Sequence, residues 1–340
     1  MTGFLMAREM AEQPAVLAAI ASRAGELSEQ IRRILPTRLD GISFVGRGSS
    51  DNAAVLGRYA AEIASGRPAG LAAPSLHTRY DAKVDYRGYL VVGLSQSGAT
   101  PEVVTTCERL RESGAVVVAI TNGKSSALAA VSHLVLLTDA GEELAVPATK
   151  TVTAEMALVL VVAGALGRGL QGVGALGAVP EVVAAVLANE APAVELAARW
   201  ASYDRLVVTA RGLLYAAALE TALKIKETSR ILAEGLSVAD LLHGPIATVG
   251  ADLPVLSIDG GAPLASDSSD LVRRLVGLGA PTATCMPLGG STLPMPGGLP
   301  EVMYCIVATV VGQQLAYHLA LARGLDPDHP SGLTKVTPTH

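Results

Sequence analysis

Aromatic residues are scarce in this 340-residue chain, with one Trp, two Phe and eight Tyr making up 3% of it. Charge is thin as well, at 17%, so the hydrophobic half of the composition rests on Ala, Val and Leu, with 35 Gly beside them. That make-up suits buried parallel strands covered by helices of small residues. Only three cysteines occur, Cys107, Cys285 and Cys305, scattered and without a CxxC spacing. Their number excludes a disulfide framework and a zinc site, and points to a reduced, cytoplasmic setting. No basic run offsets the net charge of 26 − 31 = −5, so nucleic acid is excluded as a partner. The opening MTGFLMAREMAEQP mixes both signs of charge and lacks an apolar core, so no secretory signal is expected. Apolar runs at 157–166 and 306–311 fall short of the ~20 residues of a spanning helix. Both are expected as buried helices, with no membrane partner.

What is present is alternation. At this length two domains are the prior. From Gly41 onward ISFVG, YLVVGL, AVVVAIT and LVLLT are separated by helical stretches, with a weaker second strand near 70–73. A series of this kind implies a parallel sheet with helices on both faces. After a Gly/Ala-rich linker at 167–178 and a helix ending at Trp200, the pattern restarts with RLVVTARG, then LPVLSI, a helix at 268–276, a strand at 282–286 and a helix at 300–323. Arg47 and Arg211 then correspond, 211 − 47 = 164 residues apart, a spacing suited to a duplicated domain. The expected fold is α/β: two tandem doubly wound parallel sheets of flavodoxin-like order after an N-terminal helical segment. The boundaries are 1–40 for that segment, 41–175 for the first subdomain, 176–325 for the second and 326–340 for a C-terminal tail.

Two loops of the first half, GRGSS at 46–50 and SQSGAT at 95–100, each follow a strand and open a helix. They follow the first and third strands, which flank the switch point of a flavodoxin-like sheet, where ligands bind at the carboxyl ends. Helix starts offer unsatisfied N–H groups and partial positive charge to a phosphate. Thr100, Pro101 and Glu102 fit an N-cap, an N1 proline and a first-turn acid. Hydroxyls of Ser49, Ser50, Ser95, Ser97 and Thr100 can then converge on one anion. Such residues also cap helices without any ligand, but two such loops at one switch point favour the anion. In the second half Leu213 and Leu214 follow Arg211, so one phosphate site per chain is expected. Neither loop is GxGxxG with a downstream acid or GxxxxGK[ST], so no nucleotide cofactor is expected.

The second half carries ALETALKIKETSRILAEG, read as one helix with Glu220, Lys224 and Glu227 on one face and Lys226 pointing elsewhere. Amid so few charges such a carboxylate suits a general base, although the spacing alone equally describes a solvated ion pair. DLLHGP puts His243 on a loop, and DPDHPSGLTKVT puts Lys335 in a non-helical tail.

Taken in order, MAREMAEQP, GRGSS, SQSGAT, GEELAVPATKT, ALKIKE with LLHGP, LAYHLAL and DPDHPSGLTKVT resemble the sugar isomerase (SIS) family over nearly the whole chain. The resemblance is to the isomerase part of glucosamine-6-phosphate synthase and to stand-alone amino-sugar-phosphate deaminases. It implies that Ser49, Ser50, Ser95, Gln96, Ser97 and Thr100 hold the phosphate and nearby hydroxyls of a 6-phosphorylated amino sugar. It further implies that Val146 meets the sugar through its backbone and that Glu227 moves a proton between C1 and C2. His243, donated across a homodimer, would open the ring, Lys335 would close over the ketose, and Lys224 would stand one turn before the base. No metal is implied. The synthase's glutaminase part has no counterpart here, so an activity independent of glutamine is expected, an isomerising deamination. Pro147 and Ala148 replace the synthase's Ala and Ser, which removes a sugar-facing hydroxyl and leaves room for two alternatives. One is a lyase or dehydratase eliminating across C2–C3 of N-acetylglucosamine 6-phosphate; the other is a non-catalytic sugar-phosphate sensor.

Overall fold

The computed structural model of the chain describes residues 2–287 and 289–335. These divide into two compact units, a first of residues 15–143 and 150–177, and a second of residues 2–14, 144–149 and 178–335. In chain order come α1 (Phe4–Ala11), α2 (Gln13–Ile34), β1 (Gly41–Val45), α3 (Ser49–Ser65), β2 (Ala69–Leu71), α4 (Pro74–Thr78), β3 (Tyr89–Leu94), α5 (Pro101–Glu112), β4 (Val116–Thr121), α6 (Ala127–Ala130), β5 (Leu134–Leu137) and α7 (Lys150–Leu166). There follow α8 (Val179–Ala188), α9 (Ala191–Trp200), β6 (Arg205–Ala210), α10 (Tyr215–Ser229), β7 (Leu232–Ser237), α11 (Val238–Leu242), β8 (Val255–Ile258), α12 (Ala265–Gly277), β9 (Thr282–Met286), β10 (Leu293–Pro294) and α13 (Glu301–Ala322).

Each unit holds one five-stranded parallel sheet, ordered β2-β1-β3-β4-β5 in the first and β7-β6-β8-β9-β10 in the second. The two orders are the same permutation, so the expected pair of doubly wound α/β sheets is what the chain forms. The central strands are apolar on both faces because helices cover both: all of β1 and residues 90–94 of β3 are buried. At roughly 1.5–3 kcal/mol for each buried Val, Leu or Ile side chain, such strands supply much of the drive for collapse. Small residues bring the covering helices close. A Cβ at Gly57 of α3 would lie 2.5 Å from the Phe44 ring, so only glycine lets α3 sit this low on β1.

Three sequence expectations need correction. α10 stops at Ser229, because Arg230 turns left-handed at φ 55° and the next residues leave the helix as β7. Six residues of β7 pair with β6, and this tertiary pairing overrides the helical propensity of Leu, Ala and Glu. β10 adds a strand beyond those expected, and the single helix expected before Trp200 is two, α8 and α9. Among the described residues α13 alone is long and apolar enough to cross a membrane. Its apolar surface lies inside the second unit, against α8, α9 and α10.

Candidate functional site

In the first unit the register Val45↔Gly93 sets the ends of β1 and β3 side by side, so both serine-bearing loops leave from adjacent strands at the switch point. A Cβ at Gly46 would meet the Ser50 backbone at 2.7 Å; the turn into α3 therefore closes only around glycine. Ser49 is the first residue of α3. Ser50 is buried and donates its hydroxyl to Glu155 of α7 at 3.0 Å. Ser95 and Thr100 hydroxyls lie 3.0 Å apart, and Ser95 Oγ accepts from the Gly98 N–H at 3.2 Å. Thr100 does precede α5 with Pro101 at its start, but it makes no side-chain cap; its hydroxyl serves Ser95 instead. Ser97 Oγ accepts from the Ala99 N–H, and the Gln96 carbonyl accepts from the Asn122 N–H. Arg47 clasps the two loops together through Glu102 at 2.8 Å, a bond that lowers the carboxyl's pKa, while burial raises that of Asp51 in the first turn of α3.

In the second unit α10 carries the acid–base candidates. Glu220 is fully buried and Lys224 is 1% exposed, so this is no solvated ion pair. The Lys224 ammonium lies 3.4 Å from Glu220 and donates to Glu227 Oε2, while Glu227 keeps 21% of its side chain exposed. A lone buried ammonium would cost several kcal/mol, and two flanking carboxylates offset that cost. The geometry makes Glu220 an anchor, Lys224 a strut and Glu227 the end that reaches open space. That space is a cleft of about 550 Å³, lined by Glu227, Thr228, Arg230, Asp326, His329 and Ser331 among others. Lys226, expected to point elsewhere, is exposed and lines the same cleft.

Not every candidate converges on this cleft. His243 is exposed at the end of α11 and is not among the lining residues. The Val146 N–H donates to the Asp328 carbonyl at 3.0 Å, and Lys335 Nζ donates to the Ala145 carbonyl at 2.7 Å. Val146 and Lys335 thus meet through one short segment.

The SIS domain profile matches residues 39–165 and 201–286. The chain belongs to the SIS family. A glutamine–fructose-6-phosphate aminotransferase (isomerizing) of Mycobacterium tuberculosis is 32% identical over 98% of this SIS chain, which spans 57% of that relative's length. A structure provisionally described as a phosphosugar isomerase from Silicibacter pomeroyi superposes with a TM-score of 0.83 at 29% identity, covering 96% of this chain and all of that one. A glucosamine-6-phosphate deaminase from Thermotoga maritima shares the fold, with a TM-score of 0.70 at 21% identity over 96% of this chain and 100% of that one. The SIS framework accounts for both sheets and for phosphosugar isomerase chemistry as the family's province.

Sequence reasoning assigns no site role to three residues of this SIS unit. Glu220 is notable there only for its spacing, and its complete burial is visible only in the fold. Asp326 and His329, 3.5 Å apart on the cleft, sit inside the DPDHPSG motif, where only the lysine stands out by its chemistry. Asp326, Asp328 and His329 are close enough to suggest a cation site, but the two carboxylates already accept backbone N–H groups. Asp328 takes those of Leu5 and Met6 in the first turn of α1, and Asp326 takes those of Gly3 and Asp328. The cluster works as a helix cap supplied from the tail.

Proposed function

We propose that this chain is an amino-sugar-6-phosphate deaminase/isomerase that converts glucosamine 6-phosphate and water into fructose 6-phosphate and ammonia. The observation that carries the reading is the buried Glu220–Lys224–Glu227 array opening on the cleft. The serine loops of the first unit, Ser49 to Ser50 and Ser95 to Thr100, hold the phosphate by helix-start N–H groups and hydroxyls. Once the ring is open, Glu227 takes the C2 proton and returns it to C1, while a proton passes from nitrogen to O1. The aldehyde becomes a hydroxymethyl group and the amine an imine, which water splits into the ketone and ammonia. Lys224 and Lys335 offset the enediolate-like charge, a contribution of several kcal/mol where water is scarce. Val146 meets the sugar through its backbone. His243 lies off the cleft of its own unit, which fits a ring-opening group donated to the partner of a homodimer. Cytoplasmic residence fits three free, buried cysteines whose thiols burial pushes up to about 12.

The test is direct. Purified protein should release ammonia and fructose 6-phosphate from glucosamine 6-phosphate in equal amounts, and a failure to release ammonia sinks the reading. A second reading, elimination across C2–C3 of N-acetylglucosamine 6-phosphate, draws on Ala148 in place of a sugar-facing hydroxyl. An enone absorbance growing faster than deamination would select it.

A further inference from the structure

The opening motif MAREMAEQP has no part in the scheme above, yet α1 carries it into the second unit beside the 144–149 segment. Glu9 is fully buried there and accepts the backbone N–H groups of Leu144 and Ala145, the latter at 3.2 Å from Oε2. The Arg8 guanidinium stands 3.9 Å from Glu9 Oε1. Other holds reach the same segment from the far end of the chain. Asp328 accepts the Val146 N–H through its carbonyl, Lys335 donates to the Ala145 carbonyl, and Gln313 of α13 donates to the Thr149 carbonyl at 3.2 Å. Five backbone polar groups of six residues are thus tied to four residues outside the segment. α1 is itself pinned by the Asp328 carboxylate on the N–H groups of Leu5 and Met6.

We propose that Glu9 is a positioning residue for the substrate, fixing the 144–149 backbone at the place where Val146 meets the sugar. The inference rests on the reading of that segment as sugar-facing. Its physical basis is that 144–149 belongs to no strand or helix, so its path before Lys150 needs a hold from outside the segment. A buried carboxylate gripping two consecutive N–H groups supplies one, with bonds about twice as strong as neutral ones. Gln313 does the same from the other end of the segment. A contact made equally to substrate and transition state appears in KM and leaves kcat alone.

The experiment compares full-length wild type with Glu9→Gln, which keeps the shape and weakens the acceptor, and with Gln313→Met, which removes the donor. Hydrogen exchange of the 144–146 amides is read beside KM and kcat for glucosamine 6-phosphate. The expected result for Glu9→Gln is faster exchange at Leu144 and Ala145, a KM about 5–10-fold higher and a kcat within about twofold. Gln313→Met should raise KM in the same way. Unchanged exchange overturns the proposed grip. Faster exchange with unchanged KM overturns the positioning role and removes 144–149 from the sugar site, while leaving the base assignment of Glu227 to its own test. Where Glu9→Gln fails to fold, Glu9→Asp, which withdraws the carboxylate by one methylene from the Leu144 and Ala145 N–H groups, decides both points by the same criteria.

Discussion

The two sheets share a strand order and even a clasp, yet the ends of their first and third strands carry opposite chemistry. In the first unit Arg47 bonds Glu102 between loops bearing Ser49, Ser50, Ser95, Ser97 and Thr100. In the second, Arg211 bonds Asp267 at 2.6 Å, but the loops present Leu213, Leu214 and Asp259, with Glu301 beside them. Leu214 is buried, and a Cβ at Gly260 would come within 2.8 Å of it and 3.1 Å of Glu301 Cγ, so the space beside the β8 loop is filled. Glu301 has its pKa raised to about 7, first by burial and then by Asp259, despite standing in the first turn of a helix. An anion would meet leucine and carboxylate there. The repeated scaffold keeps an Arg–acid strut in both copies, while the proposed function gives anion binding to the first copy and proton transfer to α10 of the second.

If the copies divide the labour in this way, the sharpest break comes from α10. Glu227→Gln should lower kcat by about 10²–10⁴-fold, the usual worth of a general base, with fructose 6-phosphate binding within about threefold of wild type. Turnover left intact would remove Glu227 as the base. The complementary change is Ser49→Ala with Ser97→Ala in the first unit. At about 1 kcal/mol for each lost hydroxyl contact, KM for the phosphosugar should rise about 10–100-fold while kcat holds. Equal losses in kcat from both sets would mean that the copies do not divide binding from chemistry.

The duplication itself was legible because it rests on local signals. Runs such as YLVVGL and RLVVTA read as buried strands by composition, and a Gly-containing turn after each first strand marks where a helix begins. What escaped was set by distant partners. Nothing within TSRILAEG announces a break, since Arg230 takes a left-handed turn without glycine and Leu232, 73% exposed, joins a strand only by pairing along the edge of β6. The charged face of α10 was visible as spacing, but spacing could not distinguish a solvated pair from a buried one. Only packing decides that Glu220 and Lys224 are sealed. Glu9 shows the same limit, because its partners lie some 135 residues further along the chain.

Glu301 offers a smaller test of the contrast. Its folded pKa of about 7 lies above the ordinary 4.5, so the folded chain holds a proton that the unfolded chain has lost. Stability tied to this group is therefore intact below about pH 4.5, declines as pH rises and is fully lost above about 7. Glu301→Gln should match wild type near pH 4.5 and exceed it above pH 7. Discounted for a half-exposed carboxyl, the gain is about 1 kcal/mol, read from urea midpoints at the two pH values. A flat difference across that range would show that the second-copy loops do not oppose negative charge.

The smallest effect tests what the two copies share. Both clasps are partly exposed ion pairs, so replacing either arginine by Met should cost only about 0.2–1 kcal/mol of stability, the same on both sides. Function should tell them apart. Arg47 ties the two loops read as the phosphate cradle, and its loss lets Ser49 and Ser97 drift relative to each other, which should raise KM about 2–5-fold with kcat unchanged. Arg211 ties loops to which the proposed function assigns no ligand, so Arg211→Met should leave both constants at wild-type values. If Arg47→Met is equally silent, the strut is inherited scaffolding in both copies, and the first-unit site owes its geometry to the glycine turns alone.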